Sequence, residues 1–236
     1  MLVEREDAFG GVLKNANKIK YINDQPAEEW LEKTERLIRN SNNIKILKNT
    51  LVTTYNFSDH LIALEDKNVG KPQDNEKPEL VLHKIRTKHT ILANGHIERF
   101  ITFRNNDLPG VMLAASFEKY LNRYGVVPDE SPVIFTNNSS TFSLLKSLTD
   151  LGHKPKAYVD IRDQKNIEKQ TLELLEKFNI PFYPKSEIEG CDGKKEVKKV
   201  SIRTKKNQIT KIKTSMLCVS VDLIQIFIYL LNLKVF

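Results

Sequence analysis

The stretch HTILANGHIERFITFRNNDLPG, residues His89–Gly110, determines how the rest of the chain is interpreted. It begins with a short apolar run, Thr90–Ala93, reaches a small-residue corner at Asn94–Gly95 and ends in a polar turn. An open α/β sheet brings backbone amides close to a ligand where a buried strand ends in such a turn. We therefore predict a buried strand at Thr90–Ala93 and a ligand-facing corner after it. The adjacent Glu98 and Arg99 are interpreted as a buried structural pair beneath the corner.

The composition is that of a soluble globular protein with room for one large or two small domains. The chain has 236 residues, of which 40% are hydrophobic and 28% charged. Its net charge of +7 is typical of some nucleic-acid-binding proteins. Most of that charge lies in Lys185–Lys213, which holds ten Lys and Arg against four Asp and Glu. Because this segment lacks the aromatic residues on which bases stack, we expect a Lys-rich hairpin and no nucleic-acid partner.

Cysteine and histidine usage argues against several classes of protein. Cys191 and Cys218 are too few for a disulfide framework, and the absence of Cys-x-x-Cys disfavours a dithiol oxidoreductase or a zinc ribbon. The five histidines show no metal-ligand spacing. The start MLVERED places charge before any apolar core, so it does not resemble a secretory signal. We expect a cytoplasmic protein.

The N-terminal residues suggest part of a nucleotide-binding domain. Leu2–Val3 followed by Glu4 is typical of a strand that ends in an acid, and Gly10 and Gly11 then form a turn. In a dinucleotide-binding domain, such an acid accepts the ribose hydroxyls about 20 residues after the Gly-rich loop. This sequence has no residues at that spacing before Glu4. On spacing alone Glu4 is an ordinary surface acid, and a chain that starts inside a nucleotide-binding domain is the alternative.

Hydrophobic periodicity predicts the remaining elements. Upstream of the corner we predict a helix at Pro26–Asn40 with Asp24 as its N-cap, and strands at Ile44–Leu47, Asn56–Glu65 and Leu80–Arg86. Downstream we predict helices at Val111–Tyr124, Phe142–Leu151 and Ile167–Phe178, and strands at Val133–Phe135, Lys156–Val159 and Pro181–Tyr183. A hairpin at Val197–Arg203 and Gln208–Lys213 precedes a strand at Met216–Ser220 that returns to the first domain. Alternating strands and helices indicate a parallel, doubly wound unit.

The polar turn Thr136–Thr141, TNNSST, is the second candidate site. Hydroxyls and amides that precede a helix N-terminus can hold a phosphate. The turn has no glycine, so a plain helix cap made of Asn and Ser is an equal alternative. Asp160, at the end of the next strand, either meets a ribose or caps a helix. Without a catalytic triad, paired carboxylates or a metal cluster, the residues alone indicate a two-lobed nucleotide-binding α/β protein of unassigned chemistry.

Longer motifs carry a resemblance to a known family. Residues 92–140, LANGHIERFITFRNNDLPGVMLAASFEKYLNRYGVVPDESPVIFTNNSS, resemble the α subunit of heterotetrameric sarcosine oxidase. That family has Asn-Asp-x-Pro-Gly-Val-Met-Leu-Ala, then Tyr-Leu-Asn-Arg-Tyr-Gly-Val and a Thr-Asn-Asn turn. FGGVL at 9–13 and NDQPAEEW at 23–30 also agree with its pattern, so the resemblance runs from about Val3 to Ser220.

The resemblance implies an α/β flavoprotein-like fold with two dinucleotide-binding domains. We expect a partial, N-terminally truncated first domain with an antiparallel excursion at 1–110, an inserted Rossmann-like domain with a basic hairpin at 111–215, and a returning strand with an atypical apolar tail at 216–236. The family's α subunit binds NAD and a β subunit carries FAD, with FMN at their interface. The complex demethylates sarcosine oxidatively to glycine, forms peroxide, and passes the one-carbon unit to tetrahydrofolate in a further α-subunit domain. Small subunits complete the hetero-oligomer.

The resemblance also implies site residues, and it reverses the interpretation of Glu4, which matches the family's ribose-binding acid. The implied cofactor-binding residues are Glu4, Gly10, Gly11, Val52, Ala93, Asn94, Gly95, Thr136, Asn137 and Asn138. No catalytic residue is implied, because the sarcosine site belongs to the β subunit. Asn94 stands where the family has Thr, and His96 and Phe100 replace Ala and Pro.

Both ends of the chain depart from the family. The first strand and its Gly-x-Gly-x-x-Gly loop are missing, so we expect an incomplete NAD site and an inactive fragment. After Ser220 the family's Gly-Gly-Trp and His-Leu-Phe-Thr-Gln are replaced by VDLIQIFIYLLNLKVF. One spelling of His-Leu-Phe-Thr-Gln read one base late encodes Ile228–Asn232, which favours a frame slip over a membrane anchor. A subunit of another FAD/NAD-dependent amino-acid or opine dehydrogenase, or a non-catalytic nucleotide-binding module, is the alternative function.

Overall fold

The computed structural model describes residues 1–14, 21–56, 60–69 and 79–225. The chain divides into two compact units: the smaller is formed by residues 1–13, 20–96 and 225–236, and the larger by residues 14–19 and 97–224. The apolar tail predicted at 226–236 lies outside the described residues. Among the residues that are described, no helix is long and apolar enough to cross a bilayer.

The smaller unit combines one helix with short strands and a three-stranded antiparallel sheet. Its elements are β1 (Leu2–Val3), β2 (Tyr21–Ile22), β3 (Gln25–Pro26), α1 (Ala27–Arg39), β4 (Ile46–Leu47), β5 (Thr50–Asn56), β6 (His60–Asp66) and β7 (Leu80–Arg86). Strand β1 pairs in parallel with β4, and β5, β6 and β7 pair in that order. Leu47, Leu61, Ala63 and Ile85 form the core of this unit.

The larger unit holds most of the regular structure. Its elements are β8 (His96–Arg99), β9 (Val111–Leu113), α2 (Ala114–Tyr124), β10 (Val133–Thr136), α3 (Phe142–Asp150), β11 (Ala157–Asp160), α4 (Lys169–Lys177), β12 (Phe182–Pro184), β13 (Glu187–Asp192), β14 (Lys199–Arg203), β15 (Ile209–Lys213), β16 (Leu217–Ser220) and β17 (Asp222–Gln225). The ends of β8 and β17 fall at the unit boundary.

A five-stranded parallel sheet organises the larger unit, with the strand order β12-β11-β10-β16-β9. The chain leaves β10 toward β11 on one side, while β16 occupies the other side. The point between β10 and β16 is therefore where the strand order reverses. Open α/β sheets bind ligands outside the carboxyl ends of their strands at such a point. The turn after β10 thus lies where a ligand is expected.

Strand β10 shows that the sheet is covered on both faces. Val133, Ile134 and Phe135 are almost completely buried. Successive strand side chains point to opposite faces. Val133 and Phe135 accordingly pack with residues of β13 and β14, and Ile134 packs with residues of α2 and α3. A continuous apolar run is what a strand buried on both faces requires.

Most predicted elements are observed within a few residues of their predicted bounds. The helix predicted at Pro26–Asn40 is α1, and the strand predicted at Asn56–Glu65 is β6. Asp24 is not the N-cap, because Pro26 holds that position and Asp24 lies in the preceding turn with φ +62°. The sequence does not predict strand β13, which lies in the Lys-rich segment that contains the predicted hairpin. It adds a third strand to the predicted hairpin.

Three of the predictions about strands and helices are wrong. Thr90–Ala93 is not a buried strand, since it has no regular structure and Ile91 is 92% exposed. The helix predicted from Val111 begins at Ala114, because Val111–Leu113 pairs with β16 as an edge strand. The strand predicted to return to the first domain is β16, which lies inside the sheet of the larger unit between β9 and β10.

Both cysteines are expected to be unreactive in the native chain. Cys191 and Cys218 are fully buried free thiols. Burial raises the pKa of Cys191 to about 11 and raises that of Cys218 as well. At pH 8 only about one Cys191 thiol in a thousand is the reactive thiolate. Ellman's reagent should therefore titrate no thiol in the native chain and both thiols in guanidinium; stoichiometric reaction of the native chain would contradict the burial.

Candidate functional site

Glu4 and the glycine turn after it belong to the smaller unit. The Glu4 amide donates to the Leu47 carbonyl at 2.8 Å, which continues the β1–β4 ladder. Its carboxylate accepts the Glu6 amide at 2.9 Å and is half-buried. Gly10 and Gly11 have φ +115° and +46°, a region that favours glycine. The acid thus follows the carboxyl end of a parallel strand, as the sequence predicts.

Val52 lies on β5 and contributes to the core of the smaller unit. Its half-buried side chain packs against the cluster that contains Leu61 and Ala63. The ladder between β5 and β6 shifts register between Val52 and Thr54. The contacts of the Val52 side chain are therefore those of a residue at the border of the core.

The corner Ala93–Gly95 is exposed and lies in the smaller unit. Gly95 has φ +68°, and a Cβ built there would meet nothing within 4 Å. The corner therefore turns as predicted, but it does not follow a buried strand. The structure places it in the same unit as Glu4.

Glu98 and Arg99 do not form a buried pair, because Arg99 is exposed. The Glu98 carboxylate accepts the Ala115 amide at 2.8 Å, at the start of α2. An acid at a helix N-terminus satisfies a free amide and complements the helix dipole. Arg99 instead lines an open depression of about 520 Å³. Its other lining residues are Phe100, Ile101, Thr102, Asn137 and Val221. The sequence contained no signal for this depression.

The turn after β10 is held by its own side chains. The Thr136 hydroxyl donates to the Asn138 carbonyl at 2.9 Å and accepts the Asn138 amide at 3.1 Å. The Asn138 side-chain oxygen accepts the Ser140 amide at 2.9 Å and the Ser140 hydroxyl at 2.6 Å. These bonds join residues of the turn to one another and thereby stabilise its conformation.

The same turn is tied to β16 across the reversal point. The Ser220 carbonyl accepts the Asn137 amide at 3.3 Å and the Asn138 side-chain nitrogen at 3.2 Å. The Ser140 and Ser220 hydroxyls are 2.8 Å apart. The sequence predicts Thr136, Asn137 and Asn138 as site residues. The fold thus brings them together with a residue of a strand that is far away in the sequence.

At the end of β11 the buried Asp160 forms an ion pair with the half-buried Arg162. Asp160 is 0% exposed, and its two oxygens accept Arg162 Nε at 3.1 Å and Nη2 at 2.9 Å. The Arg162 amide also donates to Asp160, at 2.8 Å. Hydrogen bonding to Asp160 raises the pKa of Arg162 further above its ordinary value. Asp160 therefore neither meets solvent nor caps a helix.

Tyr158 contacts the start of α3. Its hydroxyl lies 2.8 Å from the Thr141 hydroxyl, in a buried contact. Burial raises the pKa of Tyr158 well above its usual value, so the phenol stays protonated. Tyr158 is a structural group rather than an acid–base group. No set of three potential metal ligands is found among the residues described.

The sequence resembles parts of known sarcosine oxidase α subunits. No protein-family model matches the chain. Sarcosine oxidase subunit alpha of Rhizobium meliloti (strain 1021) is 32% identical over 170 residues, which are 71% of this chain and 17% of that protein. The same subunit of Corynebacterium sp. (strain P-1) is 33% identical over 155 residues, 64% of this chain and 16% of that protein. The chain thus spans about one sixth of these relatives, and the predicted resemblance is confirmed.

Solved oxidoreductases share the fold. The match to thioredoxin reductase of Lactococcus lactis has a TM-score of 0.70 at 16% identity. It covers 99% of this chain and 73% of the reductase chain. L-proline dehydrogenase of P. horikoshii has a TM-score of 0.58 at 17% identity, over 96% of this chain and 37% of its own. An engineered water-forming NADPH oxidase bound to NADPH has a TM-score of 0.61 at 12% identity, over 98% and 49%. These matches confirm the predicted α/β, Rossmann-type fold class.

Proposed function

We propose that this chain is the NAD-binding and scaffolding part of a subunit like the sarcosine oxidase α subunit. The observation that carries the proposal is the 31–33% identity to three proteins of that name over 64–71% of the chain. The fold shared with an oxidase that binds NADPH adds support for a dinucleotide ligand. No residue of this chain is proposed to oxidise a substrate.

The parent complex is proposed to demethylate sarcosine oxidatively to glycine, with peroxide and methylene-tetrahydrofolate as further products. A flavin-bearing β subunit would supply FAD, FMN would lie at the interface with it, and small subunits would complete the assembly. Tetrahydrofolate would bind a domain that is not part of this sequence. The relatives' shared name supports this assignment.

NAD is proposed to bind in the smaller unit. Glu4 follows a parallel strand, and it is the residue type that accepts ribose hydroxyls at this place in a dinucleotide-binding domain. Gly11 has space around it, since a Cβ there would meet nothing within 4 Å, and so does Gly95 at the exposed corner. With Ala93 and Asn94 at that corner, these residues fit a ligand approached through backbone.

Saturation-transfer NMR with NAD tests this site, because it detects ligands that bind weakly. We expect transfer to the ribose and adenine protons from the whole chain. Glu4→Gln should weaken binding about tenfold, the effect of one hydrogen bond to a charged group. The matched control Glu28→Gln, on the exposed side of α1, should bind as the unmodified chain does. Absent transfer, or equal binding by both variants, would contradict the proposal.

A second candidate is a subunit of another amino-acid dehydrogenase. The likeness to L-proline dehydrogenase of P. horikoshii over 96% of this chain favours it. Assaying the assembled complex with sarcosine and with L-proline separates the two candidates. Turnover of sarcosine alone supports the first, and turnover of proline alone supports the second.

A further inference from the structure

We infer that the turn after β10 in the larger unit, Thr136–Thr141, is held by its own side chains and binds no dinucleotide phosphate, so that Thr136, Asn137 and Asn138 are structural residues. The inference is independent of the NAD site proposed in the smaller unit. It reassigns three residues that the sequence predicts to bind a cofactor. The fold would otherwise place a second dinucleotide at this edge.

Three backbone amides of the turn already have acceptors within the protein. A phosphate at such a turn is held by amides that have no other acceptor. Here the amides of Asn137, Asn138 and Ser140 donate to Ser220, Thr136 and Asn138 respectively. The Phe142 amide, in the first turn of α3, donates to the Ser139 carbonyl at 3.3 Å. A pyrophosphate would have to replace these partners.

The backbone of the turn also lacks the shape of a phosphate loop. Rossmann loops use glycine so that the backbone turns tightly and approaches the pyrophosphate closely. Residues 136–141, all of which the structure describes, contain no glycine and none has a positive φ. The side chain of Asn138 folds back over the turn instead. The space that a pyrophosphate would need next to the backbone is therefore occupied by a protein side chain.

The Arg162 side chain lies between this turn and the end of β11. Its Nη2 donates to the Asn138 carbonyl at 3.2 Å and its Nη1 to the Ser139 hydroxyl at 3.4 Å. The same guanidinium pairs with the buried Asp160 and lies 3.6 Å from Glu168. In a working site the adenosine ribose bridges the first turn and the acid at the second strand's end. Arg162 already bridges the turn and this acid. The carboxylate of the acid therefore has a partner within the protein.

Hydrogen exchange measured by mass spectrometry tests the inference in the whole chain. We expect 10 mM NAD or NADP, a saturating excess over about micromolar affinities, to add no protection to peptides covering 136–142. The engineered NADPH oxidase, treated with NADPH in parallel, should gain protection in its bound site and serves as the positive control. Added protection at 136–142 would overturn the inference. Peptides covering 1–14 report separately on the site in the smaller unit.

A variant tests the premise that side chains hold these amides. Asn138→Ala should speed exchange of the Ser140 amide about tenfold, the effect of losing one part-buried hydrogen bond. The control Ser139→Ala should leave that amide unchanged, because Ser140 donates to Asn138. If Asn138→Ala does not change exchange at Ser140, the turn is not held by its side chains and the inference fails.

Discussion

Replacing Arg162 with methionine is expected to lower the free energy of unfolding of the larger unit by about 3–5 kcal/mol, the cost of leaving one partner of a buried ion pair uncompensated. Asp160 is 0% exposed, and the Arg162 side chain is only 21% exposed. The substitution removes both charged donors of the pair and the two contacts to the turn after β10. Urea denaturation followed by circular dichroism measures the change.

Arg203→Met is the matched control. Arg203 pairs with Glu189 on the surface of the same unit, with side chains 39% and 32% exposed. Solvent screens such pairs, so the cost should stay below about 1 kcal/mol. The double variant Asp160→Asn with Arg162→Met removes the stranded charge and should recover part of the loss. Equal losses for Arg162→Met and Arg203→Met would show that burial of Asp160 is not decisive.

Replacing Gly110 with alanine is expected to destabilise the larger unit by about 3 kcal/mol or more. Gly110 has φ +105°, where an alanine costs about 1–3 kcal/mol. A Cβ there would lie 2.3 Å from the Ser215 carbonyl oxygen and 3.1 Å from Val197 Cβ, and such overpacking costs about 1–3 kcal/mol more. The Ser215 carbonyl belongs to backbone that leads into β16, so the clash displaces the central sheet. The midpoint of thermal unfolding measures the effect.

Gly152→Ala separates the clash from the backbone strain. Gly152 has φ +80°, and a Cβ at this position would meet nothing within 4 Å. The control should therefore cost only the strain, and its midpoint should fall clearly less than that of Gly110→Ala. Similar midpoints for the two variants would remove the proposed contact with Ser215.

Elements with a strong local pattern were predicted well. Helix α1 repeats apolar residues at helical spacing between charged ones, and β10 is an apolar run before a polar turn. In both, the residues that decide the element lie within a few positions of one another. The position of Glu4 after β1 was predicted in the same way, because a strand followed by an acid is a local signal. Its ribose-binding role was implied only by the family resemblance and stays a prediction.

Elements that depend on distant partners were not predicted. Thr90–Ala93 has the composition of a buried strand, but its residues are largely exposed and form no strand in the described structure. Val111–Leu113 fits a helical pattern, yet it is a strand because β16, about a hundred residues later, offers hydrogen bonds to it. Pairing between strands far apart in the chain is decided by the whole sheet, so a local pattern cannot show it.

By itself, the sequence determined the α/β class, the acid after the first strand, the polar turn without glycine, and the resemblance to the sarcosine oxidase α subunit. These follow from local periodicity and from motifs, which are properties of neighbouring residues. Only the tertiary structure decided that β16 lies beside β10 and that Arg162 pairs with Asp160 next to the turn. Whether a turn can hold a phosphate depends on whether its amides are free. That depends on acceptors such as Ser220, which the chain brings to the turn only on folding.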